Sequence, residues 1–395
     1  MYPNVPLRDM LGAVGLTAGT MVGVGLLAVP VSLGLIGFVP GVLLILVVVM
    51  AMWVAGFALA ERAMDQQRQD ADLASIVASD LGNWTRWVTL PVYLLMFYAV
   101  LVAYLTAAAS SLMSLVQWDW TSTQWTILVF GVASCFLVFG QAVMLRLNGL
   151  VVATMVMAFL VLLWLSSGGI QYQNLLHHNW IMAPLVLPML CTAFTYHNVV
   201  PLVCKKLAFQ RRRVHLALTL GLAIAMAMTV AWFLVVVGTL PLDTGSSSLV
   251  EASRQGVPAT VPLAQFSGSI LVTTCGLIFS LLAVLTSYLG VGAALSSFLR
   301  DIIPILRPQG RGALLFLAVF TPPLVIALVY PTIFLKMVDL VGGVGTIILF
   351  GLLPLLGFIR QRREDNKRLR GPLYLLLFFF LAIFGIELAK LAGLH

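Results

Sequence analysis

Near the middle of the chain, the run LPMLCTAFTYHNVVPLV (187–203) sets Thr192, Phe194, Thr195, Tyr196, His197 and Asn198 inside an apolar stretch. The chemistry open to such a cluster is specific. An imidazole takes and gives a proton near neutral pH, hydroxyl and amide groups hydrogen-bond, and aromatic rings wall a cavity. His197 is the one histidine in the middle of a long apolar segment. It is either a proton or ligand group or a neutral ring bonded to nearby backbone or to a ligand hydroxyl. A second pair, Thr286-Ser287 in LTSYLGVG, offers two adjacent hydroxyls. They either serve a small hard cation, which wants oxygen ligands, or bond back to the preceding turn of their own helix. A third stretch, GLTAGTMVGVGLLAVP (15–30), is rich in glycine and ends in proline. Charges in apolar surroundings are few: Glu61, the Lys336/Asp339 pair three residues apart, and the Glu387/Lys390 pair. Lys336 and Asp339 share a helical face, as an opening gate or a neutralising pair. Glu61 is placed to hold an inner gate with Arg8 or Arg86.

These residues need elements to position them. The chain has 395 residues, of which 61% are hydrophobic and 9% charged, with mean hydropathy +1.06. A soluble surface cannot be built from that composition, since soluble domains carry about 25% charged residues. The apolar segments are long enough to cross a ~30 Å hydrocarbon core as helices, and barrel alternation is absent. The opening MYPNVPLRDM lacks the apolar core of a signal peptide. Eleven spans are expected, near 9–37, 40–62, 86–113, 124–144, 148–167, 181–203, 214–239, 266–298, 313–330, 333–358 and 372–392. With the N-terminus in the cytoplasm, all but Arg254, Lys336 and Lys390 of the 22 Lys and Arg fall inside, as the positive-inside rule requires. The C-terminus then lies outside. The net charge of +8 thus reports orientation, and nothing points to nucleic acid. Cys135, Cys191, Cys204 and Cys275 read as small buried hydrophobes, not as metal ligands or disulfides.

The glycines of the first span allow two readings. Gly15, Gly19 and Gly23 are four apart, the pattern for close helix packing in lipid. Alternatively, Gly23 and Gly25 bracket a break, with backbone groups freed where the helix lines a cavity. A matching break in the other half of the chain would be the mark of an inverted repeat around one site. The sixth span supplies it, with polar residues from Thr192 to Asn198 and with Pro201 following as Pro30 does. The expected architecture is therefore all-α and membrane-embedded. It has a repeat at 9–167 (spans one to five), a second at 181–358 (spans six to ten) and an added span at 372–392.

TAGTMVGVGLLAVP paired with FTYHNVVP, in a chain of this length, resembles the bacterial aromatic amino acid permeases, the tyrosine- and tryptophan-specific transporters of the amino acid–polyamine–organocation superfamily. YAVLVAY (98–104), LTSYLGVG (285–292) and Tyr330-Pro331 carry the likeness further. The resemblance implies the leucine-transporter fold, with broken helices one and six, and an ion-coupled symporter that imports an aromatic amino acid, tyrosine before tryptophan or phenylalanine, across the bacterial inner membrane. It also implies the site. Thr20, Val22, Gly23, Val24 and Gly25 would offer backbone groups to the carboxylate, helped by the start of a helix. Phe194, Thr195, Tyr196, His197 and Asn198 would receive the ammonium and the ring, with Tyr98 or Tyr104 of span three beside them. Six residues separate those tyrosines, so they do not share a face. Sodium-coupled members of the fold would use Thr286 and Ser287 with the carbonyls of Gly19, Val22 and Ala283. Proton-coupled relatives would carry a lysine early in span five, but the positions near Thr154 and Met155 hold no charge. Protons remain the favoured ion, with His197 as carrier, and sodium is the alternative. No further cofactor or obligate protein partner is expected; the partners are the amino acid and the lipid bilayer.

Other classes lack their residues. The sequence has no HExxH, no phosphate-binding GxxxxGK[ST] and no nucleophile motif, so an enzyme or an ATP-driven pump is not expected. A channel or an amino acid receptor of transporter fold would keep the same pocket, and counterflow of labelled substrate separates it from a carrier.

Overall fold

A computed structural model describes residues 6–66, 73–116, 118–139, 141–243, 245–306, 312–361 and 370–393; of these, the side chains of 136–149, 301, 304 and 370 fall outside the description. Every regular element among them is helical. In chain order they are α1 (Leu7–Met21), α2 (Val24–Gly34), α3 (Phe38–Gln66), α4 (Leu73–Leu81), α5 (Thr85–Leu115), α6 (Ser122–Phe139), α7 (Gln141–Ser167) and α8 (Tyr172–Leu175). A 3₁₀ segment (Trp180–Val186) leads into α9 (Leu187–Ala193), and another (His197–Val199) leads into α10 (Val200–Lys206). Then come α11 (Arg211–Thr239), α12 (Leu249–Gln255), α13 (Thr260–Ser267), α14 (Ile270–Ile302), α15 (Gly312–Val329) and α16 (Phe334–Leu340). A π-helical segment (Val341–Leu352), α17 (Leu353–Gln361) and α18 (Arg370–Leu391) complete the chain.

Nine helices among the described residues are long and apolar enough to cross a membrane, and ten if α1 and α2 count as one span bent by 48°. The sequence leads one to expect eleven. The fourth expected span, 124–144, runs onto residues whose side chains lie outside the description, which leaves it out of that number.

Lipid explains why these apolar sequences fold with apolar side chains on both faces. Inward, α1 packs on α11, α14 on α5 and α7, and α9 and α18 on the π segment. Outward, Val47, Met50, Trp164, Ile270, Leu317, Leu375 and Phe378 are exposed. Such a surface would aggregate in water; in hydrocarbon it is the required one.

Close backbone approach replaces bulky interdigitation at two places. A Cβ built on Gly342 would stand 1.7 Å from the carbonyl oxygen of Pro188, and one on Gly25 would stand 2.5 Å from Ala193 Cα. Both contacts are with backbone, so no rotamer change relieves them. The four-residue glycine spacing of the first span is not what brings helices together. Gly15 and Gly19 have nothing within 4 Å of an added Cβ.

Candidate functional site

The first span breaks at Val22-Gly23. Val22 takes φ −87°, ψ 86°, and its N–H donates to the Gly19 carbonyl, closing α1. Gly23 is extended, with φ −162° and ψ −143°, and α2 starts at Val24. The first N–H groups of any helix lack an intrahelical acceptor; here they belong to Val24, Gly25 and Leu26, with Leu27 the first to donate back, to the Gly23 carbonyl at 3.3 Å. The sixth span breaks between Ala193 and Val200: α9 ends, Phe194 and Tyr196 leave helical geometry, and a 3₁₀ turn over His197–Val199 precedes α10. Contact of Gly25 with Ala193 sets the two breaks against each other.

Around the first break, an added Cβ on Gly23 would lie 3.3 Å from Ser287 Oγ and 3.7 Å from the Tyr104 hydroxyl. Break one, α5 and α14 thus meet at one point, where the Tyr104 hydroxyl and the Ser287 side chain lie together. Tyr98 is elsewhere: its hydroxyl donates to the Ala318 carbonyl of α15 at 2.8 Å. Thr20 donates to Thr17 in its own helix at 2.8 Å. Thr286 donates to the Leu282 and Ala283 carbonyls at 2.8 and 3.3 Å, and the Gly19 carbonyl receives Val22. The five oxygens expected for a cation are therefore committed to one another and to their own helices in part.

Around the second break, Phe194, Tyr196 and His197 are fully buried. The Tyr196 hydroxyl donates to the Met52 carbonyl of α3 at 3.3 Å, over Gly56, where any side chain would collide with it. His197 lies against Tyr196 and Phe350, with ring centroids 4.7 and 5.4 Å away. Neither of its ring nitrogens makes a hydrogen bond of regular geometry, and the Met52 carbonyl is the backbone group that acts on the ring. Thr195 donates to Cys191 at 2.6 Å and meets the Thr346 hydroxyl at 3.0 Å. Asn198 is exposed and stands apart from these buried groups.

Both gate pairings differ from expectation. Lys336 is exposed, with no carboxylate in ion-pair range among the described residues. Asp339 instead pairs with Lys390 of α18 at 2.5 Å: the two residues share a face, but Asp339 stands where α18 brings an ammonium to it, while the long Lys336 side chain extends to the exposed side. Glu61 is 5% exposed and pairs with Arg211 at 2.5 Å and with His215 at 3.0 Å. Arg8 and Arg86 are exposed. The start of α11 packs against α3 and brings its basic cluster to Glu61 and Asp65, and Arg211 also pairs with Asp65. A further group missed by sequence reading is the bidentate pair of Arg62 with Asp80, at 2.8 and 2.6 Å. Its signal lay in the i, i+3 spacing of Arg62 and Asp65, which places a cation where a second carboxylate can reach it.

Comparison with known proteins gives the family and the fold. The chain is 28% identical to the tyrosine-specific transport system 1 of Haemophilus influenzae, over 85% of this chain and 84% of that protein. It is 24% identical to the glutamine transporter 2 of Aliivibrio fischeri, over 93% of this chain and 92% of that protein. In three dimensions it is similar to the manganese transporter of Eremococcus coleocola, with a TM-score of 0.61 at 13% identity, covering 98% of this chain and 87% of the other. That likeness speaks to the helical transporter architecture alone. Residues 7–388 match the description of one family along nearly their whole length, and the chain is a member of the tryptophan/tyrosine permease family, multi-pass membrane transporters and not enzymes.

Proposed function

We propose that this permease imports an aromatic amino acid, tyrosine first, by proton-coupled alternating access, held between the two breaks. The observation that carries the reading is the contact of Gly25 with Ala193, which sets a free helix start against an unwound segment walled by Phe194 and Tyr196. The N–H groups of Val24 and Gly25 receive the carboxylate, carbonyls after Ala193 take the ammonium, and Tyr104 closes the third side. The leucine-transporter fold of eleven spans, as repeats 9–167 and 181–358 with span 372–392 added, accommodates this site. The protein belongs in the inner membrane, N-terminus in the cytoplasm and C-terminus outside. Ligand bonded to both breaks favours the occluded state, and spans one, two, six and seven then rock against three, four, eight and nine. Ligand drives this only through differential affinity for the states.

Protons are the coupling ion favoured here, and sodium is the alternative, because Thr286, Ser287 and the carbonyls of Gly19, Val22 and Ala283 keep lone pairs for a cation. Relatives named for tyrosine support an aromatic substrate, and the glutamine transporter of Aliivibrio fischeri makes glutamine the competitor to include. The test is uptake of labelled tyrosine into proteoliposomes, with tryptophan, phenylalanine and glutamine as competitors. Phe194→Ala removes the pocket wall and is expected to lower kcat/KM by about 10- to 100-fold, the equivalent of ~1.4–2.7 kcal/mol. Gly23→Leu drives a side chain into Ser287 and Tyr104 and is expected to reduce uptake at least as far. Normal uptake by both folded variants would remove the site from the breaks.

A further inference from the structure

Far from Gly23 and Ser287, a second polar cluster lies between spans six, ten and eleven. Lys390 Nζ sits 2.5 Å from Asp339, 3.3 Å from Glu387 and 3.4 Å from the Leu185 carbonyl. Glu387 is 2% exposed, and its Oε2, despite the nearby ammonium, accepts no hydrogen bond. Two carboxylates face one ammonium, which leaves one negative charge in excess beside the buried Glu387, while Asp339 and Lys390 stay partly exposed, at 24% and 21%. Uncompensated buried charge is costly, so a further cation belongs here. A metal ion would have to displace the ammonium that already holds the centre. There is no room beside it, since an added Cβ on Gly343 would lie 2.5 Å from Glu387 Cβ and Cγ. A proton needs no space.

No other charge competes among the described residues. Lys390 and Glu387 are the charged groups that act on Asp339. The 180–186 segment, α2 and the π segment bring no titratable side chain, α9 brings Cys191 and α17 brings Arg360 at its far end. Of the α5 groups, Arg86 is exposed at the opposite end of its span, Tyr93 stacks on Phe97, and Tyr98 and Tyr104 are engaged with Ala318 and Ser287. Lys336 points outward.

The cluster is also wired to the second break. Thr192 of α9 donates at 2.6 Å to the Val338 carbonyl, next to Asp339. Thr195 and Thr346 meet one turn further, and His197 follows against Phe350. His197 is the next histidine or carboxylate along this seam, and with the Met52 carbonyl beside its ring it can receive a proton on one nitrogen and release it from the other.

We propose that Asp339 and Glu387 share a proton across Lys390, and that the coupling proton enters there and follows the seam between spans six and ten toward His197, apart from the amino acid site. Positively charged loops place this end outside, where an inward-moving proton arrives. The seam supplies what the chargeless span five lacks. The inference rests on the proton-coupled reading above, and the experiment separates the two.

Proteoliposomes holding a fluorescent pH indicator are loaded with tyrosine for exchange, or left empty under an inward proton gradient without sodium. Glu387→Gln is expected to keep tyrosine exchange within about 3-fold of wild type while proton influx per tyrosine falls at least about 10-fold and accumulation collapses toward equal concentrations. Asp339→Asn serves as the second variant should Glu387→Gln not fold, with the same expectation. Unchanged proton influx per tyrosine in a folded variant overturns the assignment, as does a parallel fall of exchange and accumulation in both, which a merely structural cluster would give. Sodium-driven accumulation by wild type without proton influx overturns the coupling reading together with this one, and absence of aromatic amino acid exchange by wild type overturns the substrate reading itself.

Discussion

Gly25→Val is expected to abolish uptake, by about 100-fold or more, in protein that still reaches the membrane. The added Cβ would start 2.5 Å from Ala193 Cα and 3.1 Å from its backbone nitrogen. Overpacking in a core costs about 1–3 kcal/mol when side chains can shift. Here the obstacle is main chain, so the halves of the site must separate. Misplacing reacting or binding groups by an ångström is enough to cost about 100-fold. Gly15→Ala, with open space around it, is the matched control and should transport normally. Labelled uptake normalised to membrane-inserted protein checks the pair; a Gly25→Val permease that works as well as Gly15→Ala would show that the breaks need not touch.

Arg62→Met is expected to destabilise the protein by about 3 kcal/mol, while Arg62→Met with Asp80→Leu recovers to within about 1 kcal/mol of wild type. The Asp80 carboxylate is 3% exposed and receives both Nε and Nη2 of Arg62. Removing the guanidinium strands a buried charge, whereas removing both partners leaves apolar packing, the usual asymmetry of buried pairs. Gln66 donates to the same carboxylate at 3.3 Å and softens the single loss. The pair holds α4 to the end of α3, and Arg360 and Gln361 clamp α4 from span ten through the Leu81 and Asp80 carbonyls. Unfolding in detergent of both single variants and the double closes the cycle; equal, additive losses would mean that Arg62 and Asp80 do not act as a pair.

The breaks were legible before any coordinates because they violate the rule that a span be uniformly apolar and helical: glycines with Pro30 in one half, and Thr192 to Asn198 with Pro201 in the other. Span positions were legible for the same reason. What the sequence hid were the partners of charges. Lys336 and Asp339 are neighbours along the chain, yet Asp339 finds Lys390, 51 residues away. Glu61 finds Arg211 and His215 on α11, not the nearer Arg86. A local periodicity states which residues share a face; which face meets which helix is decided by packing over the whole bundle. Tyr98 shows the same limit from the other side. Spacing alone says that it and Tyr104 diverge, and only the packing of α15 says that Tyr98 is the one turned away.

The three N–H groups at the start of α2 carry a consequence for handling the purified protein. They lack an acceptor in their own helix, and on the function proposed above the carboxylate of the amino acid would supply one. The substrate would then also be a folding ligand: at a hundred times its Kd it would add about 2.7 kcal/mol to the bound state over the unfolded chain. Shelf life in detergent becomes a reporter of what the protein carries, readable before any vesicle is made.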